Sequence, residues 1–110
     1  MKILTGVAAL MLVSALFAGP ALAHKVHLFA YVDGGTIYTE SYFPDGSKVE
    51  NGTVRVYDSE EALLLEGTTD PGGLFRFPIP KVDDLTIVID AGMGHKNRFH
   101  LKKTEVEAGK

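Results

Sequence analysis

The chain opens on an apolar run and then changes rhythm. From Ile3 to Ala18 only Thr5, Gly6 and Ser14 interrupt the hydrophobic stretch, and Lys2 stands ahead of it. Beyond residue 24 the pattern becomes short segments in which apolar and polar residues alternate. That is the period of a half-buried strand, not of a helix. Val26, Leu28, Ala30 and Val32 alternate with His27, Phe29 and Tyr31, and Asp33-Gly34-Gly35 marks a turn. Thr36 to Phe43 reads as a second strand, stopped by Pro44-Asp45-Gly46-Ser47. Thr53 to Tyr57 gives a third and Ala62 to Thr68 a fourth. Thr69-Asp70-Pro71-Gly72-Gly73 is the strongest turn signal, and Leu74 to Phe77 follows as a fifth strand closed by Pro78 and Pro80. Leu85 to Asp90 is nearly all apolar, which predicts a central sixth strand. Asn97 to Lys102 is the seventh, with Phe99 and Leu101 facing in. Ser59 to Leu65 is rich in helix formers but too short to hold a helix alone, so a loop leading into a strand is expected there.

Strands at intervals of about ten residues, with no helical period beyond the leader, predict an all-β fold: a seven-stranded antiparallel, Ig-like sandwich. Val54, Val56, Phe75, Phe77, Ile87 and Ile89 are expected to share its core. The chain divides into a leader (1–23), a sandwich domain (24–103) and a polar tail (104–110) expected to fray.

The leader has the parts of a secretory signal. Lys2 is the positive end, the apolar run is the middle, Gly19-Pro20 breaks it, and Ala21 and Ala23 put small side chains where a signal peptidase requires them. A run of about 16 residues falls short of the roughly 20 needed to span a bilayer, so cleavage after Ala23 is expected rather than a membrane anchor. The product would be periplasmic or otherwise secreted, beginning at His24, with no transmembrane helix after cleavage.

Charge and composition narrow the classes. Cleavage removes Lys2 and no acidic residue, which takes the formal net charge one unit below its −3. Basic residues are scattered, with no stripe for nucleic acid. The chain has no cysteine, so disulfides cannot staple this small exported domain, and no tryptophan. Stability must come from the sheet core, helped by a metal or a partner.

Two resemblances follow from quoted stretches. Asn51-Gly52-Thr53-Val54-Arg55-Val56-Tyr57-Asp58 and Gly67-Thr68-Thr69-Asp70-Pro71-Gly72-Gly73-Leu74-Phe75-Arg76-Phe77 resemble the carboxypeptidase regulatory-like domain, which implies a prealbumin-like (transthyretin-like) sandwich and no particular activity. His24 to Val32, Thr39 to Phe43, Asp45 to Val49 and Asp90-Ala91-Gly92-Met93-Gly94-His95 are similar to the extracytoplasmic part of accessory subunits of nickel and cobalt energy-coupling-factor transporters. This second resemblance implies a periplasmic part in nickel or cobalt uptake, with the transporter's membrane subunits as partners. Such subunits commonly continue into a carboxy-terminal membrane helix. The sequence stops at Lys110, so a soluble stand-alone relative is expected.

The histidines are the candidate chemistry. All four lie at the two ends of the mature chain: His24 and His27, then His95 and His100. Terminal strands of a sandwich often lie together, so the pairs could converge on a metal. Imidazole suits nickel, cobalt, copper and zinc. Cleavage would add the His24 amine, whose reference pKa of ~7.7–8.0 lets a metal displace its proton at neutral pH. Met93 offers a thioether two residues before His95. The metal candidates are therefore His24 and His95, then His27, then Met93 and His100, with nickel or cobalt favoured and copper or zinc possible. Plainer readings stand beside these: His27 and His100 as solvent-facing strand residues, Met93 as core filling, and Asp90 as a strand terminator or a support for a ligand histidine.

No catalytic group stands out. There is no serine or cysteine nucleophile motif and no paired carboxylates. The Tyr-Arg-Gly-Ser ending of transthyretin-like hydrolases is missing, and so short a chain leaves little room for the substrate platform of a histidine-brace oxygenase. The expectation is a non-enzymatic metal-binding accessory protein. The alternative is a structural or protein-interaction sandwich without metal.

Overall fold

The computed structural model describes residues 25–110. The predicted signal helix, its cleavage site and His24 lie outside the described residues. Seven strands occur in order: β1 (His27–Asp33), β2 (Thr36–Tyr42), β3 (Thr53–Tyr57), β4 (Leu63–Thr68), β5 (Leu74–Pro78), β6 (Leu85–Asp90) and β7 (Lys96–Leu101). One short helix, α1 (Lys103–Ala108), follows them. The strands form a three-stranded sheet, β1-β2-β5, and a four-stranded sheet, β4-β3-β6-β7, with all pairs antiparallel. This is the all-β sandwich expected from the alternation, and β6 is an inner strand as its apolar run predicts.

The two sheets bury their alternate residues against each other. β6 contributes Leu85, Ile87 and Ile89. β3 sets Val54 opposite Ile89 and Val56 opposite Ile87. Ala30, Ile37 and Phe77 come from the other sheet, and all of these side chains are buried. Each large one stabilises the fold by about 1.5–3 kcal/mol. Phe75 is only half-buried, because it sits nearer the open edge of the sandwich. It stacks on Phe77 with ring centroids 5.6 Å apart. A Cβ on Gly67 of β4 would collide with the Phe75 ring, so glycine is what lets the two edges close there.

The Thr69–Gly73 turn is fastened from several sides. The Asp70 carboxylate accepts the N–H groups of Gly72 and Leu74, each at 2.9 Å. Gly73 has φ +74°, and a Cβ there would strike the Ser41 carbonyl oxygen. That carbonyl belongs to β2, so only glycine lets this turn lie against it. Buried Thr69 donates its hydroxyl to Val49 O at 2.6 Å and accepts the Gly52 N–H at 2.8 Å. The segment 59–65 is a turn followed by a strand. The Asp58 carboxylate accepts the N–H groups of Glu60 and Ala62, each at 2.9 Å.

The polar tail differs from expectation. Residues 104–110 do not fray: α1 packs onto the sandwich with Val106 fully buried. Six residues are marginal as a free helix. Tertiary contacts supply what the local sequence lacks. Lys102 provides no side-chain cap, but the Asp84 carboxylate accepts the Lys103 N–H at 2.8 Å. At the other end Gly109 O accepts the Gly35 N–H at 2.8 Å, which ties the helix to the β1–β2 turn. Among the described residues no helix is long and apolar enough to cross a membrane.

Candidate functional site

The histidine-bearing end is built from the start of β1, the end of β2 and the loop between β6 and β7. That loop, residues 91–95, is closed by its own backbone. Ala91 N–H donates to His95 O at 2.8 Å and His95 N–H to Gly92 O at 2.9 Å. Asp90, the last residue of β6, accepts the Gly92 N–H at 2.9 Å. This bond, more than Lys96 and Arg55 nearby, holds the Asp90 carboxyl below its usual pKa. Asp90 thus ends its strand and pins the loop.

Three successive residues of the loop have left-handed backbone: Gly92 at φ 84°, Met93 at 53° and Gly94 at 81°. The glycines adopt it freely, whereas Met93 pays about 1–2 kcal/mol. Its side chain gains no burial in return. Met93 is 98% exposed, which excludes the core-filling role. His95 is half-buried, sets its ring edge-on to Phe43 at 5.9 Å, and lines an open pocket of about 570 Å³ with Phe43, Asp45 and Ser47.

The segment just ahead of β1 is tied to the head of β7, which follows this loop. The Asn97 side-chain amide donates to Val26 O at 2.8 Å, across 71 residues of sequence. The chain just ahead of β1 is therefore fixed against β7 two residues after His95. His27, the first residue of β1, is exposed and stacks on Tyr42, its cross-strand partner, at 5.0 Å. His27 and His95 share this end of the molecule but rest on the successive rings Tyr42 and Phe43.

His100 lies elsewhere. It sits on β7 opposite Thr86, with Nδ1 3.2 Å from the Thr86 hydroxyl oxygen. It stands four strand steps beyond Lys96, about 13 Å at the usual rise. It lines a different cleft, with Asp58, Asp84 and Lys102. Among the described residues no group of three or more histidine, aspartate or glutamate side chains could hold a metal. His95, His27 and Met93 are brought to one end, His100 is not, and His24 lies outside the described residues. The role of Asn97 was not evident from the sequence. An asparagine at the head of a strand carries no signal of a partner 71 positions away.

No family model matches the chain, and no solved structure matches it. An uncharacterized protein of Haemophilus influenzae is 31% identical over 99 residues, covering 87% of this chain and 62% of that relative. The chain therefore spans less than two thirds of the length of the curated relative it matches.

Proposed function

We propose that this is an exported accessory protein of nickel or cobalt uptake that binds a divalent transition metal at its amino-terminal end. The observation that carries the reading is the Asn97–Val26 hydrogen bond, which ties a residue two positions after His24 to one two positions after His95. Lys25 is exposed, Val26 buried and His27 exposed. In this reading His24 supplies its amine and imidazole, His95 a second imidazole, and Met93 a thioether from a rigid loop tip. Nitrogen donors with one soft sulfur suit late first-row metals. A strained, exposed Met93 is the kind of outlier found at functional sites. His27 stands next to the site and His100 takes no part. Membrane subunits of a nickel or cobalt transporter are the partners implied.

Calorimetric titration with Ni(II) and Co(II) of the protein beginning at His24 tests this. Binding should weaken at least tenfold in His95→Ala and stay unchanged in His100→Ala. Equal affinity of His95→Ala and the parent protein refutes the assignment. Absence of binding altogether would favour the interaction sandwich without metal.

A further inference from the structure

The outer face of the three-stranded sheet carries a second set of features, independent of the metal reading. Its register sets Phe29, Glu40 and Leu74 in one row and Tyr31, Tyr38 and Arg76 in the next. Phe29, Tyr31 and Leu74 are 47%, 43% and 46% exposed. Tyr31 and Tyr38 stack across the strands at 5.1 Å, and Phe29 stands 6.0 Å from Tyr31. An open cleft of about 480 Å³ runs over these rows, lined by Tyr31, Tyr38, Glu40, Leu74 and Arg76, with Asp70 at one end. That volume falls in the range of small-molecule sites.

The charges in the cleft are the telling part. Glu40 and Arg76 are diagonal neighbours across β2 and β5, a spacing of about 7–8 Å that long side chains can bridge. Among the described residues, neither makes an ion pair with the other or with anything else. On the other sheet Arg55 and Glu66, which stand directly opposite each other, close to 2.8 Å. Glu40 and Arg76 stand apart over an aromatic floor, each with its hydrogen-bonding capacity open to a ligand.

We infer that this cleft binds a small zwitterion carrying an ammonium group at one end and a phosphate or carboxylate at the other. The ammonium is attracted to the Glu40 carboxylate and the tyrosine faces. The Arg76 guanidinium offers a two-point donor fork to the anionic end. Tyr31, Tyr38 and Leu74 cover the carbon atoms between. Free phosphoethanolamine and the same group at the head of a phospholipid share this chemistry.

The chain has no tryptophan and four tyrosines, so its intrinsic fluorescence reports largely on this face, which holds Tyr31, Tyr38 and Tyr42. Titrating the protein with phosphoethanolamine and phosphocholine should give a saturable change. Either compound should bind at least tenfold more tightly than ethanolamine or inorganic phosphate alone. Glu40→Gln and Arg76→Gln should each weaken binding about tenfold with unchanged melting temperature, since both side chains are exposed. Sedimentation with phosphatidylethanolamine vesicles, against phosphatidylglycerol vesicles, identifies the source. Binding to the free compounds supports a soluble ligand, and binding only to the first vesicles supports the lipid headgroup. His95→Ala should bind as the parent does, which separates this cleft from the metal end. No saturable change with any probe, half-ligands that bind as tightly as the whole, or variants that bind like the parent would overturn the inference.

Discussion

Replacing Thr69 with valine tests how the sandwich closes around its strongest turn. The side chain is 2% exposed and bridges two loops, donating to Val49 O at 2.6 Å and accepting from Gly52 N–H at 2.8 Å. Valine nearly keeps the shape but removes the bridging oxygen, so a buried carbonyl and a buried N–H are left without that partner. Each such group costs about 1–3 kcal/mol, and the extra methyl contact offsets a little of it. The expected loss is about 2–4 kcal/mol, a large share of the ~5–15 kcal/mol that such domains possess. Urea unfolding followed by far-ultraviolet circular dichroism reads this directly. At slopes of ~1–3 kcal/mol/M the midpoint should fall by about 0.7–4 M. Thr68→Val, at the exposed neighbouring position, is the control and should stay within about 0.5 kcal/mol. A Thr69→Val midpoint as high as the control's would mean that the hydroxyl bridge does not hold these loops together.

Phe77→Ala should cost roughly 3–5 kcal/mol, because the ring is 4% exposed and stacks on Phe75; the same urea assay checks it, and a change within about 0.5 kcal/mol would contradict the core assignment. Acid should destabilise the protein through Asp58, Asp83 and Asp90. The Lys81 ammonium lowers the Asp58 pKa, bonds from Ser59 lower that of Asp83, and the Gly92 N–H lowers that of Asp90. A depressed carboxyl stabilises the fold above the ordinary value of about 3.9, and that contribution disappears as pH falls through the depressed one. Melting temperature should therefore drop below about pH 4, less steeply in Asp58→Asn; an equally steep drop in both proteins would argue against Asp58. Amino-terminal sequencing of the exported protein should read His-Lys-Val-His, and a product that keeps the leader would remove the amine ligand from the site.

Much of the fold was legible because its signals are local. Proline and glycine clusters mark the turns, and alternation of Val54, Val56, Ile87 and Ile89 marks the buried faces. What was missed depends on contacts between distant segments. Lys103 to Ala108 reads as a polar tail because its only apolar anchor is Val106, and nothing nearby in sequence tells that a site on the sandwich will bury it. Phe99 was expected to face inward with Leu101. Both do: Leu101 is buried and Phe99 packs against the core, but Phe99 stays half-buried and meets Phe29 edge-on at 5.8 Å, since β7 is an edge strand. The histidines divide in the same way. That Val26 meets Asn97, two residues after His95, depends on the β1 and β7 edges lying together, whereas strand spacing alone already separates His100 from His95. The exposure of Met93 follows from a loop whose two glycines were evident but whose direction was not.

The central claim is that the mature terminus itself is a ligand. Its most direct test is Ni(II) calorimetry on two proteins that differ by one residue, the chain beginning at His24 and the same chain with a glycine placed ahead of it. Every side chain is retained, but the His24 amine becomes a peptide nitrogen. The account predicts at least a tenfold loss of affinity in the extended protein, and weaker binding of the native one as pH falls and protons compete for the amine and imidazoles. Equal affinity for the two proteins would contradict it.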